Sequence, residues 1–111
     1  MLNPHLPDPQ LLEAILEPLL EDFQYWFDRS VALLENEKIS FLGTEAQTNL
    51  LERIRQAQEE IKTAGLLLKA TDGQAGVQME VVMSWHLLLT ECWQVAARYR
   101  IENASHQGET T

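Results

Sequence analysis

Positive charge is what this chain has least of. Eight Lys and Arg stand against seventeen Asp and Glu, a formal charge of −9. A nucleic-acid partner is excluded on that ground, because binding a phosphate backbone depends on clustered bases that release counterions. An anionic membrane surface is disfavoured for the same reason. Cysteine is nearly absent as well. Cys92 stands alone, so an internal disulfide is impossible and a reducing compartment is the natural setting. Five glycines and four prolines supply few turns, which argues against a many-stranded β fold. No apolar run is long enough to span a bilayer. The longest uncharged stretch, VVMSWHLLLT (81–90), contains a histidine and covers about half of a membrane span. The N-terminal MLNPHLPDPQ lacks the basic region and apolar core of a secretory signal, so the expected location is the cytoplasm.

What the chain does contain points to helices. Its 111 residues are 45% hydrophobic and 23% charged, the proportions of one globular domain. Leucine is abundant, and unbranched or γ-branched side chains lose little rotamer freedom in a helix. The acidity is uneven: residues 1–37 carry a net −7, residues 38–70 a net +1 and residues 71–111 a net −3.

Caps and spacing divide the chain into three segments. Residues 1–7 read as an extended leader before Asp8-Pro9, a cap followed by a proline suited to the first helical position. Apolar residues then fall at Leu12, Leu16, Leu19, Phe23, Trp26 and Leu33, steps of four and three that mark one helix face. Pro18 interrupts this segment, and the loss of its N–H predicts a kink or a split near it. The stretch ENEKISFLGT (35–44) breaks the run. TEAQ (44–47) has the form of a capping box, with Thr44 as cap and Gln47 as its partner. A second stripe follows through Ala46, Leu50, Ile54, Ala57, Ile61, Ala64 and Leu68. After DGQAG (72–76) comes a third, through Val81, Trp85, Leu88, Cys92, Val95 and Tyr99. The expected fold is all-α. It is an up-down-up antiparallel three-helix bundle with helices of about 9–36, 45–70 and 77–101, forming a domain over 8–101 with a flexible polar tail at 102–111.

The stretch LLEDFQYWFDRS (19–30) places four of the eight aromatic rings within five positions. Core packing accounts for Phe23, Trp26 and Phe27. Tyr25 points elsewhere, in line with Leu11 at heptad spacing, and Leu20, Phe27 and Leu34 form a further line beside the core stripe. Since one bundle helix needs an apolar sector of about 100°, the first helix has apolar surface to spare. So does the third, where Leu89 and Trp93 widen the stripe. Surplus surface on two parallel neighbours suggests a composite docking face made of Leu11, Leu20, Tyr25, Phe27, Leu34, Leu89 and Trp93. A two-fold homodimer would cover it most simply, and a partner's helix next.

Catalytic chemistry is thinly represented. Glu13, Glu17 and Glu21 share a helix face, but the Glu-x-x-His pairs of a di-iron bundle are missing. Cys92 and His86 are six residues apart on a helix, so they point to different sides and make a poor nucleophile–base pair. DGQAG lacks the Lys and Ser/Thr of a phosphate-binding loop. No cofactor, metal site or catalytic residue is expected. The competing reading is a metal- or small-ligand-binding helical enzyme built on Glu13, Glu17, Glu21 and His86.

The phrases LLEAILEPLLEDFQYWFDRS, ISFL, LLLKATDGQAGV and SWHLLLTECWQVAARYR, spread over residues 8–100, resemble a small cyanobacterial protein family of uncharacterised function. The resemblance implies a cyanobacterial cytoplasm and a chain made of this domain alone. Its confinement to photosynthetic cells implies an accessory role near a photosynthetic or carbon-fixing assembly. It carries no motif that assigns a site. The functional expectation is a non-catalytic interaction module, an adaptor or assembly factor.

Overall fold

A computed structural model describes residues 9–109 of the chain, with side chains for Leu11 and from Glu13 to Ala104. It contains three helices: α1 (Pro9–Asn36), α2 (Thr44–Ala70) and α3 (Met79–Glu109). No strand occurs among the described residues. The expected leader and the Asp8 cap lie outside the described residues, as does the side chain of Leu12.

Cross-helix contacts fix the directions. Along α1, Glu17 pairs with Lys69 at 3.5 Å, the Gln24 amide donates to the Gln58 carbonyl at 3.1 Å, and the Gln47 amide reaches the Leu34 carbonyl at 2.8 Å. Rising numbers on α1 therefore meet falling numbers on α2. On α3 the order is the same as on α1: Phe23 meets Trp85 at 5.9 Å between ring centroids, and Trp26 meets Trp93 at 5.8 Å. The bundle is up-down-up, and α1 packs against both of the other helices.

The 68 Å long axis exceeds the length of any one helix. The cross-helix pairs explain it. Near Glu17 α1 has already outrun the end of α2, and near Arg98, which stacks over Phe41 at 4.2 Å, α3 is leaving the other end. At about 1.5 Å per residue these overhangs add about 12 Å and about 16 Å to the roughly 40 Å of α2. The core lies between them. Phe27, Ile39 and Ile54 are fully enclosed, and Trp85 is buried with its indole N–H donating to Glu60 Oε1 at 3.0 Å.

Three local expectations need correction. First, α1 runs unbroken through Pro18. Proline frees the carbonyl of Ala14, but both residues are exposed, so water can take the lost bond. Second, Thr44 is not the cap of α2. Gly43 is, with φ 81 and no side-chain bond, and the Gln47 N–H donates to its carbonyl at 3.0 Å. Freed from capping, the Gln47 side chain turns back to close the α1–α2 connection. Third, α3 does not stop at Ile101 but continues through the stretch read as a tail to Glu109. No glycine intervenes before Gly108, and Arg98 and Glu102 form an i,i+4 pair at 3.0 Å on the way.

Candidate protein interface

The seven residues assigned to a docking face separate into two groups. Leu11, Tyr25 and Trp93 are exposed, at 55%, 53% and 42%. Leu20, Phe27, Leu34 and Leu89 are between 0% and 6% exposed and belong to the protein's own core. They cannot line an outer surface. The expectation failed because α1 packs on two neighbours and so needs a buried sector wider than a single stripe. Leu20 shows this: its Cδ1 would lie 3.9 Å from a Cβ added at Gly65, which puts it squarely against α2. Leu11 is exposed partly because it sits on the overhang of α1, beyond the reach of α2.

A different apolar surface runs along the seam where α1 and α3 meet away from α2. Trp26, read as core from spacing, is 39% exposed and stands edge-on to Trp93 at an interplanar angle of 90°. Ile15, Leu19, Trp26 and Leu33 recur at intervals that keep them on this flank of α1, and Ile15 is exposed. The matching flank of α3 carries Met79, Val82, His86 and Trp93, with Met83 just outside it. Met79 and Met83 are both exposed and were missed from sequence. Fixing the α3 register on buried Trp85 would have placed them on the outer side.

Charge is distributed in a complementary way. Five of the six described carboxylates of α1 lie on the flank toward α2: Glu17 pairs with Lys69, Asp28 accepts from Gln58 at 2.7 Å, Glu35 pairs with Arg55, and Glu13 and Glu21 follow Glu17 at four-residue spacing. Only Asp22 faces the α3 side. Between residues 81 and 90 α3 has no Asp, Glu, Lys or Arg at all. In a protein of charge −9, the seam is almost free of carboxylates.

Arg29 borders the seam. Its guanidinium lies 5.7 Å from the Tyr25 ring and 5.9 Å from the Trp26 ring, and donates to Tyr25 Oη at 3.1 Å. These contacts hold the cation beside the exposed indole.

The groups considered for chemistry are not brought together. Glu13, Glu17 and Glu21 occupy the α2-facing flank of α1, while His86 is exposed on the α3 side of the seam. Among the described residues no group of three or more His, Cys, Asp or Glu side chains is placed to hold a metal ion. Cys92 is buried under α1, and that burial pushes its thiol up to about 11. A thiol with that pKa is protonated at neutral pH and is a poor nucleophile. Two further grooves flank α2. One, of about 420 Å³, lies between α1 and α2 and is lined by Tyr25, Leu66 and Lys69; the other, of about 460 Å³, lies between α2 and α3 and is lined by Leu67, Val77 and Trp85. The first groove also carries Glu17, Glu21, Asp28 and Lys62, of which Glu17 pairs with Lys69 and Asp28 accepts from Gln58, and the second carries Glu59 and Glu60. No described helix is long and apolar enough to cross a membrane.

Fold and surface define an all-α three-helix protein with an extended aromatic and methionine-bearing seam. The chain belongs to the protein family of unknown function DUF2605, matched over residues 6–101. No curated protein and no solved structure matches it.

Proposed function

We propose that this protein is a non-catalytic interaction module, an adaptor or assembly factor that docks protein through the α1/α3 seam. One observation carries the reading: Trp26 and Trp93 stack edge-on and remain well exposed, in a strip where Asp22 is the only one of the six described α1 carboxylates. Tryptophan is enriched at the energetic centres of protein interfaces, and charged residues are depleted there. Leaving two indoles in water has no folding benefit that core packing would not provide better. The finer setting is a cyanobacterial cytoplasm, where the partner belongs to a photosynthetic or carbon-fixing assembly.

Affinity capture from native lysate tests this with three chains: wild type, Trp93→Glu, and Leu66→Glu as a control on the α1/α2 groove. The expected result is that proteins recovered by wild type and by the control are lost with Trp93→Glu. Equal recovery by all three overturns the assignment of the seam.

A further inference from the structure

We infer that the occupant of the α1/α3 seam is a second copy of this chain, related by a two-fold axis beside Trp26 that sets the two α1 helices antiparallel. The inference rests on the docking reading above and adds the partner and the register.

Two charges on the seam flank of α1 have no ion-pair partner among the described residues. Asp22, Trp26 and Arg29 stand at i, i+4 and i+7 and so share one flank of α1. Asp22 and Arg29 are exposed, and neither takes part in an ion pair among the described residues. Two helical turns separate them, about 10.5 Å along the axis, too far to pair within one chain. Arg29 is nonetheless held in place by the Tyr25 and Trp26 rings. An antiparallel copy whose axis passes between Tyr25 and Trp26 brings Asp22 of each chain opposite Arg29 of the other. The flank is therefore complementary to itself, which is what an isologous interface needs.

The same axis makes sense of α3. Its direction is parallel to α1, and Phe23–Trp85 fixes the offset between them. Applied to α3, the two-fold sets the stretch around Val82 and Met83 of one copy level with Trp93 of the other. A flexible thioether against an indole is a favourable contact that tolerates imperfect fit. The overall charge also selects this face. Two chains of −9 repel one another, and the α2-facing flank of α1 would add carboxylate to carboxylate, whereas the seam would not.

The test uses charge reversal at two exposed positions, where folding is not at stake and is checked by the helical circular-dichroism signal. Sedimentation equilibrium compares wild type, Asp22→Arg, Arg29→Asp, and an equimolar mixture of the two variants. Wild type is expected to dimerise at tens of micromolar. Each single variant faces its own like charge twice across the axis, and its dimer dissociation constant should rise roughly tenfold at low salt. The mixture restores opposite pairing and should recover a dimer of wild-type strength. Wild type that stays monomeric at this concentration overturns the inference, as does a dimer indifferent to both reversals. A monomeric chain whose Trp93→Glu variant still loses its lysate partners overturns the second copy alone and leaves the docking reading intact.

Discussion

Replacing Gln47 by alanine removes the clasp on the α1–α2 connection, and the structure sets the size of the effect. Gln47 Oε1 accepts from the Ile39 N–H at 2.9 Å, while Nε2 donates to the carbonyls of Leu34 at 2.8 Å and Glu37 at 2.7 Å. Ile39 is fully buried, so its N–H has no water to turn to. Leaving one buried donor unsatisfied costs about 1–3 kcal/mol. Leu34 lies in the last turn of α1, where carbonyls lack intrahelical partners, and its replacement bond would come from water at a smaller loss. The expected total is about 2–4 kcal/mol, which for a domain of this size lowers Tm by roughly 10 °C. Thermal unfolding followed at a helical circular-dichroism band, with exposed Thr48→Ala as the control, measures it. A shift within 2 °C of the control, on the order of half a kcal/mol or less, would refute the clasp as the element that orders the connection.

Other perturbations follow from equally local features. Gly65 lies within α2, and a Cβ there would meet only Leu20 Cδ1, at 3.9 Å, so Gly65→Ala should raise stability by about 0.5–1 kcal/mol, and a lowered Tm would contradict the open space beside it. Cys92 gives a pH dependence with a definite sign. Its thiol pKa rises on folding from the ordinary value of 9.0 to about 11, so its protonated form contributes full stability below about pH 9. That contribution declines between pH 9 and 11 as the unfolded chain ionises first, by about 1.4 kcal/mol per unit. Urea titrations should show this decline in wild type but not in Cys92→Ala, and identical pH profiles would exclude Cys92 as its source. The Arg53–Glu91 pair is bidentate at 2.9 Å and 2.9 Å but exposed, and it holds the Glu91 carboxyl below its usual range. Glu91→Gln should therefore cost no more than about 1 kcal/mol and less in high salt, and a larger loss in urea titrations would point to a structural role the geometry does not contain.

The fold was readable because it depends on spacing. Steps of three and four through Leu50, Ile54, Ala57, Ile61 and Leu68 identified α2 and its buried face correctly. The interface was harder to read, because spacing says which residues share a face but not how many neighbours that face must serve. Leu20, Phe27 and Leu34 looked like surplus on the assumption of one stripe per helix, yet α1 packs on two helices and buries them all. Trp26 was misplaced in the opposite direction. It fits the stripe by position, but its indole extends past the edge of the core to meet Trp93. Gln47 was singled out for the right reason, a polar side chain near a helix start, and given the wrong partner. Its partners, Leu34, Glu37 and Ile39, lie before the helix it belongs to and become neighbours only once the connection has folded.

Oxidative footprinting by brief hydroxyl-radical exposure, read residue by residue in dilute and concentrated samples of the purified chain, tests the seam most directly. Methionine and tryptophan are the natural reporters, and the surface in question carries Met79, Met83, Trp26 and Trp93. As concentration rises into the tens of micromolar, oxidation at these four should fall several-fold while Leu66 and Leu67 on the other faces hold steady. Unchanged labelling of the four, or protection centred on Leu66 and Leu67 instead, would contradict a seam that pairs with its own copy.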